Sequence, residues 1–259
     1  MSPDAADDRA MLKPVRRQPL SDQVFERLCG AIVSGQFPPG SVLPGERKLC
    51  ETLNVNRGAV REALKRLEQS RFISIRQGGA TRVLDFWESA RLDIVSHLLV
   101  TAEGGIDLKV ARSMVELRAA ITPDMVRLAT LRNGTALEPA LRPLLEEMRA
   151  HSQVPSRAQA LNEQFWRIIV RGSENIAYVL VFNTMSEVND RFKKLLTPFL
   201  APSYQNVASF EAIAKAIVSG NVEDAQRATE RHVTQIAAAL ASQIRGLQAN
   251  GTTVWSPAE

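Results

Sequence analysis

Cysteine is nearly absent: of 259 residues, only Cys29 and Cys50 carry a thiol. Both fall on expected helix faces, which points to structural thiols rather than a disulfide or a redox pair. No apolar run approaches the roughly 18 residues of a membrane-spanning helix. Met1 to Ala10 is acidic and polar, unlike a secretory leader. A cytoplasmic protein without a membrane partner is therefore expected. Enzyme signatures are missing as well. The sequence shows no nucleophile–base pair, no paired ligand histidines and no glycine-rich phosphate loop. An enzyme built on the C-terminal half has no residue pattern to support it, and no cofactor is expected.

Charge is unevenly placed. The formal net charge is +4. Residues 1–85 hold 14 Lys and Arg against 10 Asp and Glu, whereas residues 86–259 hold 18 against 18. All the excess positive charge lies in the first third, which favours a nucleic-acid partner there and another role for the rest.

The basic third contains an ordered pattern. Leu49 and Leu53 give a short helix its buried side, Asn54 suits a left-handed turn, and Val55 plugs the corner. Asn56 is a candidate N-cap. Behind it Val60, Ala63, Leu64 and Leu67 form one apolar stripe at i, i+3, i+4 and i+7, while Arg57, Arg61, Lys65 and Arg66 point elsewhere. A short helix, a tight turn and a helix with a basic outer face are what major-groove reading needs.

Before this pattern, residues 1–17 read as a disordered tail, and Ser21 as the N-cap of a helix carrying Val24, Leu28 and Ile32 to about Ser34-Gly35. Phe37-Pro-Pro-Gly40 reads as an extended connector. After it, Phe72–Arg76 and Thr81–Leu84 alternate as two strands around a Gln77-Gly78-Gly79-Ala80 turn. A helix-turn-helix followed by such a hairpin is a winged helix.

Residues 86–105 read as a linker helix. Beyond it the sequence predicts helices capped or opened by Asp107, Thr122-Pro123, Thr135, Ser156, Glu174, Ser203 and Asn221, the last reaching about Arg245. Residues 246–259 read as a tail. No strand pattern follows residue 85. The fold class is thus mainly α: an N-terminal winged helix-turn-helix at 18–85 and a C-terminal antiparallel α-helical bundle at 106–245.

Phe37-Pro-Pro-Gly40, Leu43-Pro-x-Glu46-Arg47-x-Leu49, Asn56-Arg57-x-x-Val60-Arg61-Glu62-Ala63-Leu64 and the glycine-tipped wing resemble the DNA-binding domain of GntR-family transcription regulators. The resemblance implies a homodimeric repressor or activator on a double-stranded operator, and a repressor is the expected one. It places Arg47 at a phosphate or base, Asn56, Arg57 and Arg61 in the major groove, and Gln77 and Gly78 in the minor groove. An arginine fork on guanine O6 and N7 makes Arg57 and Arg61 the expected base readers, and Arg47 a positioning contact.

The later helices, with Glu116-Leu-Arg118, the Gly172-Ser-Glu-Asn175 break and Ile217–Ala225, resemble the effector-binding domain of the FadR subfamily. Many members hold a divalent metal there through an aspartate and three histidines, and the metal holds an organic acid. This sequence departs from that set. Asn162 stands at the aspartate position, Trp166 and Phe210 at two histidine positions, and only His232 remains. No bound metal is therefore expected. Arg118 matches a cavity-facing position and could pair with a carboxylate or phosphate. A small-molecule effector, an acyl-CoA or a carboxylate-containing metabolite, is expected on Arg118, Asn162, Trp166, Phe210 and His232. The alternative is a bundle that serves only for dimerisation.

Overall fold

The computed structural model describes residues 19–76, 80–99, 107–191 and 200–249. The chain divides into two compact units, one up to Ser89 and one from Ala90.

In the first unit, α1 (Leu20–Val33), α2 (Glu46–Leu53) and α3 (Arg57–Gln69) precede a hairpin of β1 (Ile73–Ile75) and β2 (Thr81–Val83), and α4 (Phe86–Ser89) follows. The strands are antiparallel, with Ile73 opposite Val83 and Ile75 opposite Thr81. Val42 of the connector adds a bridge to Arg82. Val24, Phe25, Leu28, Cys29 and Ile32 of α1, the α3 stripe, Phe72, Ile73 and Val83 are all buried. Their side chains make the core that aims α3 outward. Arg66 is spent on this core: it pairs with Asp22 and lies over the Phe25 ring at 4.4 Å. Both cysteines are free, and burial pushes the Cys29 thiol up to about 12. One expectation fails here. The N-cap of α1 is Pro19, not Ser21; the Pro19 carbonyl takes the Asp22 and Gln23 amides, and Ser21 is buried inside the helix.

The second unit begins with a 3-10 turn (Leu92–Ile94) and α5 (Val95–Leu98), so over its described residues, 86–99, the expected linker helix is several short pieces; 100–105 lie outside the described residues. Next come α6 (Leu108–Asn133), α7 (Glu138–His151), α8 (Pro155–Gly172), α9 (Ile176–Arg191), α10 (200–205), α11 (Val207–Val218) and α12 (Val222–Ala249). Asp107 caps α6, its carboxylate accepting the Lys109 and Val110 amides. Asn221 caps α12, its side-chain oxygen accepting the Asp224 amide at 3.1 Å.

Elsewhere the boundaries differ from expectation. Thr122-Pro123 opens no helix, because α6 runs straight through Pro123. A mid-helix proline loses one amide donor, and beside it the Thr122 hydroxyl donates to the Arg118 carbonyl at 2.6 Å. Thr135 lies in a 3-10 turn (Gly134–Leu137) that feeds α7. Pro155, not Ser156, is the first residue of α8. Glu174 takes a left-handed φ of 48° and Asn175 caps α9, accepting the Ala177 amide. The helix expected from Ser203 is interrupted at Asn206, and α12 extends past Arg245 to Ala249. The bundle core joins α6, α7, α8, α11 and α12 through Val126, Leu141, Met148, Leu161, Phe165, Ile169, Ile213, Ile217, Ala225 and Ala228.

Candidate functional site

The first candidate surface is built at the turn between α2 and α3. Asn54 closes α2 at φ 51° and ψ 49°, a left-handed conformation that asparagine tolerates better than most residues. Asn56 then starts α3, its side-chain oxygen accepting the Ala59 amide at 2.9 Å. With Val60, Ala63, Leu64 and Leu67 buried, helical periodicity leaves Arg57 and Arg61 outside, their side chains 70% and 61% exposed.

Both arginines lean on one carboxylate. The Arg57 Nε donates to Glu46 Oε2 at 3.0 Å. The Arg61 Nε donates to Glu46 Oε1 and Oε2 at 3.1 and 2.9 Å. The hydrogen bond from Arg57, with that from Arg61, holds the Glu46 carboxyl below its usual range. Arg47 is more exposed still and lies 3.5 Å from Glu51. Gln77 and Gly78, the expected wing contacts, lie outside the described residues.

The second candidate site is inside the bundle, where α6, α8, α10, α11 and α12 supply Arg118, Trp166, Tyr204, Phe210 and His232. The indole N–H of Trp166 donates to the Asn162 amide oxygen at 3.1 Å. The His232 ring lies 5.6 Å from the Trp166 ring and 4.8 Å from that of Phe210. Its Nδ1 is 2.9 Å from the Ser209 hydroxyl. His232 is only 2% exposed, and its Nε2 has no hydrogen-bond partner among the described residues. Burial, and then the positive charge of Arg118, lower its pKa to about 4.

Arg118 is half-buried; desolvation is the main cause that lowers its pKa, with the Tyr204 hydroxyl a smaller opposing influence. Burial in turn raises the Tyr204 hydroxyl. No described carboxylate pairs with Arg118. The desolvated Arg118 cation favours a group that accepts hydrogen bonds, and the unpartnered His232 Nε2 takes a donor or an acceptor according to its tautomer.

The described side chains at this site do not fit a tightly held divalent cation. Asn162 already gives its oxygen to Trp166, indole and phenyl rings offer no lone pair, and His232 offers one free nitrogen. Among the described residues, no group of three His, Cys, Asp or Glu stands together. The structure thus brings the five expected pocket residues into one neighbourhood and adds Tyr204 and Ser209, which sequence reasoning missed. Ser209 precedes Phe210 but faces a histidine 23 residues away, and no local pattern signals such a pair.

The chain matches the bacterial regulatory proteins of the gntR family across residues 20–83 and the FCD domain across 113–235. It is 34% identical over 239 residues to the HTH-type transcriptional regulator Mce2R of Mycobacterium tuberculosis, covering 90% of this chain and 98% of that one. It is 28% identical over 169 residues to the fatty acid metabolism regulator protein of Serratia proteamaculans, covering 64% and 67%. A solved structure from Listeria monocytogenes, described as Lar controlling the expression of the agr system, superposes with a TM-score of 0.55 at 15% identity. That match covers 88% of this chain and 99% of the other. No described helix is long and apolar enough to cross a membrane. The chain belongs to the GntR family of transcriptional regulators, in its FadR subfamily, with an FCD effector-binding domain following the helix-turn-helix.

Proposed function

We propose that this regulator is a homodimer that reads a double-stranded operator with α3 and is controlled by a metal-free effector in its bundle. The observation that carries the DNA half is the exposed arginine pair at the start of α3, set by the Asn54 turn and the Asn56 cap. Arg57 and Arg61 read base edges, Arg47 positions the helix on a phosphate, Asn56 sets the entry of α3, and Gln77 and Gly78 of the wing enter the minor groove. The unit boundaries proposed for these roles are 18–85 for the winged helix and 106–245 for the effector bundle.

Arg118 supports an acceptor-bearing head group in the bundle, His232 Nε2 offers a second polar contact, and Trp166 and Phe210 suit an apolar body. Relatives named as fatty acid metabolism regulators favour a fatty-acid-derived ligand, an acyl-CoA or a free carboxylate. For control, that ligand must bind the DNA-competent and incompetent states with different affinity.

A second reading is a bundle without effector. It draws on Phe210, which is wholly buried, and on the Trp166–Asn162 bond, which satisfies both groups internally. A thermal-shift titration with acyl-CoAs, carboxylates and divalent metals, with and without chelator, separates the two. A native-state ligand at a hundredfold excess over its Kd adds about 2.7 kcal/mol of stability. Stabilisation by an acyl-CoA or a carboxylate, with no response to chelator, is expected. A flat response to every compound supports the ligand-free bundle, and loss of stability on chelation overturns the metal-free assignment.

A further inference from the structure

We propose that Glu46 is the positioning residue that sets base selectivity: it grips the Nε of both Arg57 and Arg61, turns their terminal amines outward as fixed forks, and withholds the pair from phosphates. This rests on the reading of Arg57 and Arg61 as base readers.

Glu46 is the first residue of α2, while the two arginines stand on the first turns of α3. One carboxylate therefore spans the helix-turn-helix corner, across 11 and 15 residues of sequence. Every contact it makes uses an Nε, at 3.0 Å from Arg57 and at 3.1 and 2.9 Å from Arg61. Among the described residues the terminal amines of both arginines have no hydrogen-bond partner. Those amines form the edge that takes guanine O6 and N7 end-on.

An unanchored arginine on an exposed helix samples many rotamers and neutralises any phosphate it meets. An arginine held at Nε has fewer orientations to lose on reaching a base, and it must leave a carboxylate to follow a phosphate. Three charges of mixed sign also leave the trio with one net positive charge. Non-specific attraction, which scales with the phosphates neutralised, is thereby restrained while the forks stay available. The carboxylate is kept ionised by the same two partners.

The test uses the full chain. A duplex is first selected from a randomised pool by the wild type. Affinity for it and for a scrambled duplex is then measured across salt for wild type, Glu46→Gln, Arg57→Ala and Arg61→Ala. Glu46→Gln is expected to melt as the wild type does, to bind the scrambled duplex more tightly, and to steepen its salt slope by about 1. Its preference for the selected duplex should fall about tenfold. The inference is overturned if Glu46→Gln keeps that preference and slope while the arginine variants lose the preference. It is equally overturned if Glu46→Gln weakens both duplexes alike. If Arg57→Ala and Arg61→Ala keep the preference, the base-reading assignment itself has failed. Should Glu46→Gln not melt cooperatively, Glu46→Asp replaces it. Aspartate keeps the charge but is too short to hold both forks, and a smaller loss of preference is expected.

Discussion

The two units treat arginine in opposite ways. At the start of α3, Arg57 and Arg61 stand in solvent and share the Glu46 carboxylate. In the bundle, Arg118 is half-buried and partly desolvated, with no described carboxylate beside it and a histidine nearby whose Nε2 has no described partner. The first arrangement is complete without DNA: water and Glu46 satisfy the cations, and DNA replaces part of the water. In the second, folding bears the cost of a desolvated charge and of an imidazole nitrogen without a partner among the described residues. A surface open to water can keep its cations paired and hydrated, whereas a buried site holds an unpartnered polar group only because the surrounding core offsets the cost.

The sharpest way to break this contrast is to remove the wall of the pocket. Trp166→Ala should cost about 3–5 kcal/mol in chemical denaturation, because its indole is buried against Phe165, Phe210 and His232. A cost below about 1 kcal/mol would show that the indole flanks open space instead of core.

Next in size is the pH dependence. The folded His232 titrates near 4, an unfolded histidine near 6.5. Between those values the unfolded chain holds the extra proton, so acid favours unfolding, and this contribution is fully recovered above about pH 6.5. Across the window it amounts to about 3 kcal/mol. Comparing the wild type with His232→Phe in denaturant melts from pH 4 to 7 isolates it: the wild type should lose more stability on acidification than the variant.

Gly134→Ala tests the bundle away from the pocket. A Cβ there would stand 2.7 Å from the Ile217 carbonyl oxygen, backbone that has little room to move, and about 2 kcal/mol of destabilisation is expected. In the DNA-reading unit, Asn56→Ala should cost about 1 kcal/mol by freeing the Ala59 amide. Arg118→Met should raise the stability of the ligand-free protein by about 1 kcal/mol, the low end for replacing a buried charge, since Arg118 keeps some accessible surface. A loss of stability instead would mean that Arg118 has a structural partner.

The two units were not equally legible. In the first, short-range signals carry the structure. Asn54 and Asn56 act through their own backbone and the next few amides, and the α3 stripe repeats at helical spacing, so turn, cap and exposed arginines follow from sequence alone. In the bundle, the helices were legible from periodicity and from the Asp107 and Asn221 caps, but several boundaries were not. Thr122-Pro123 has the form of a helix start, yet tertiary packing carries α6 across it because a single lost amide bond is a small cost in a 26-residue helix. Tyr204 and Ser209 escaped for a related reason. Their partners come from distant helices, and only the packing of α6, α10, α11 and α12 defines them.

The most direct measurement follows DNA binding while the pocket is filled. Fluorescence anisotropy of the full chain on its selected duplex is titrated with a long-chain acyl-CoA, a free fatty acid and a small carboxylate, for wild type and Arg118→Met. One of these ligands should shift the wild-type Kd for DNA about 5- to 150-fold, with no shift in the variant and equal ligand-free affinities. An unchanged wild-type Kd with every ligand, or an equal shift in Arg118→Met, would contradict a regulator whose reading head answers to an acceptor-bearing ligand held by Arg118.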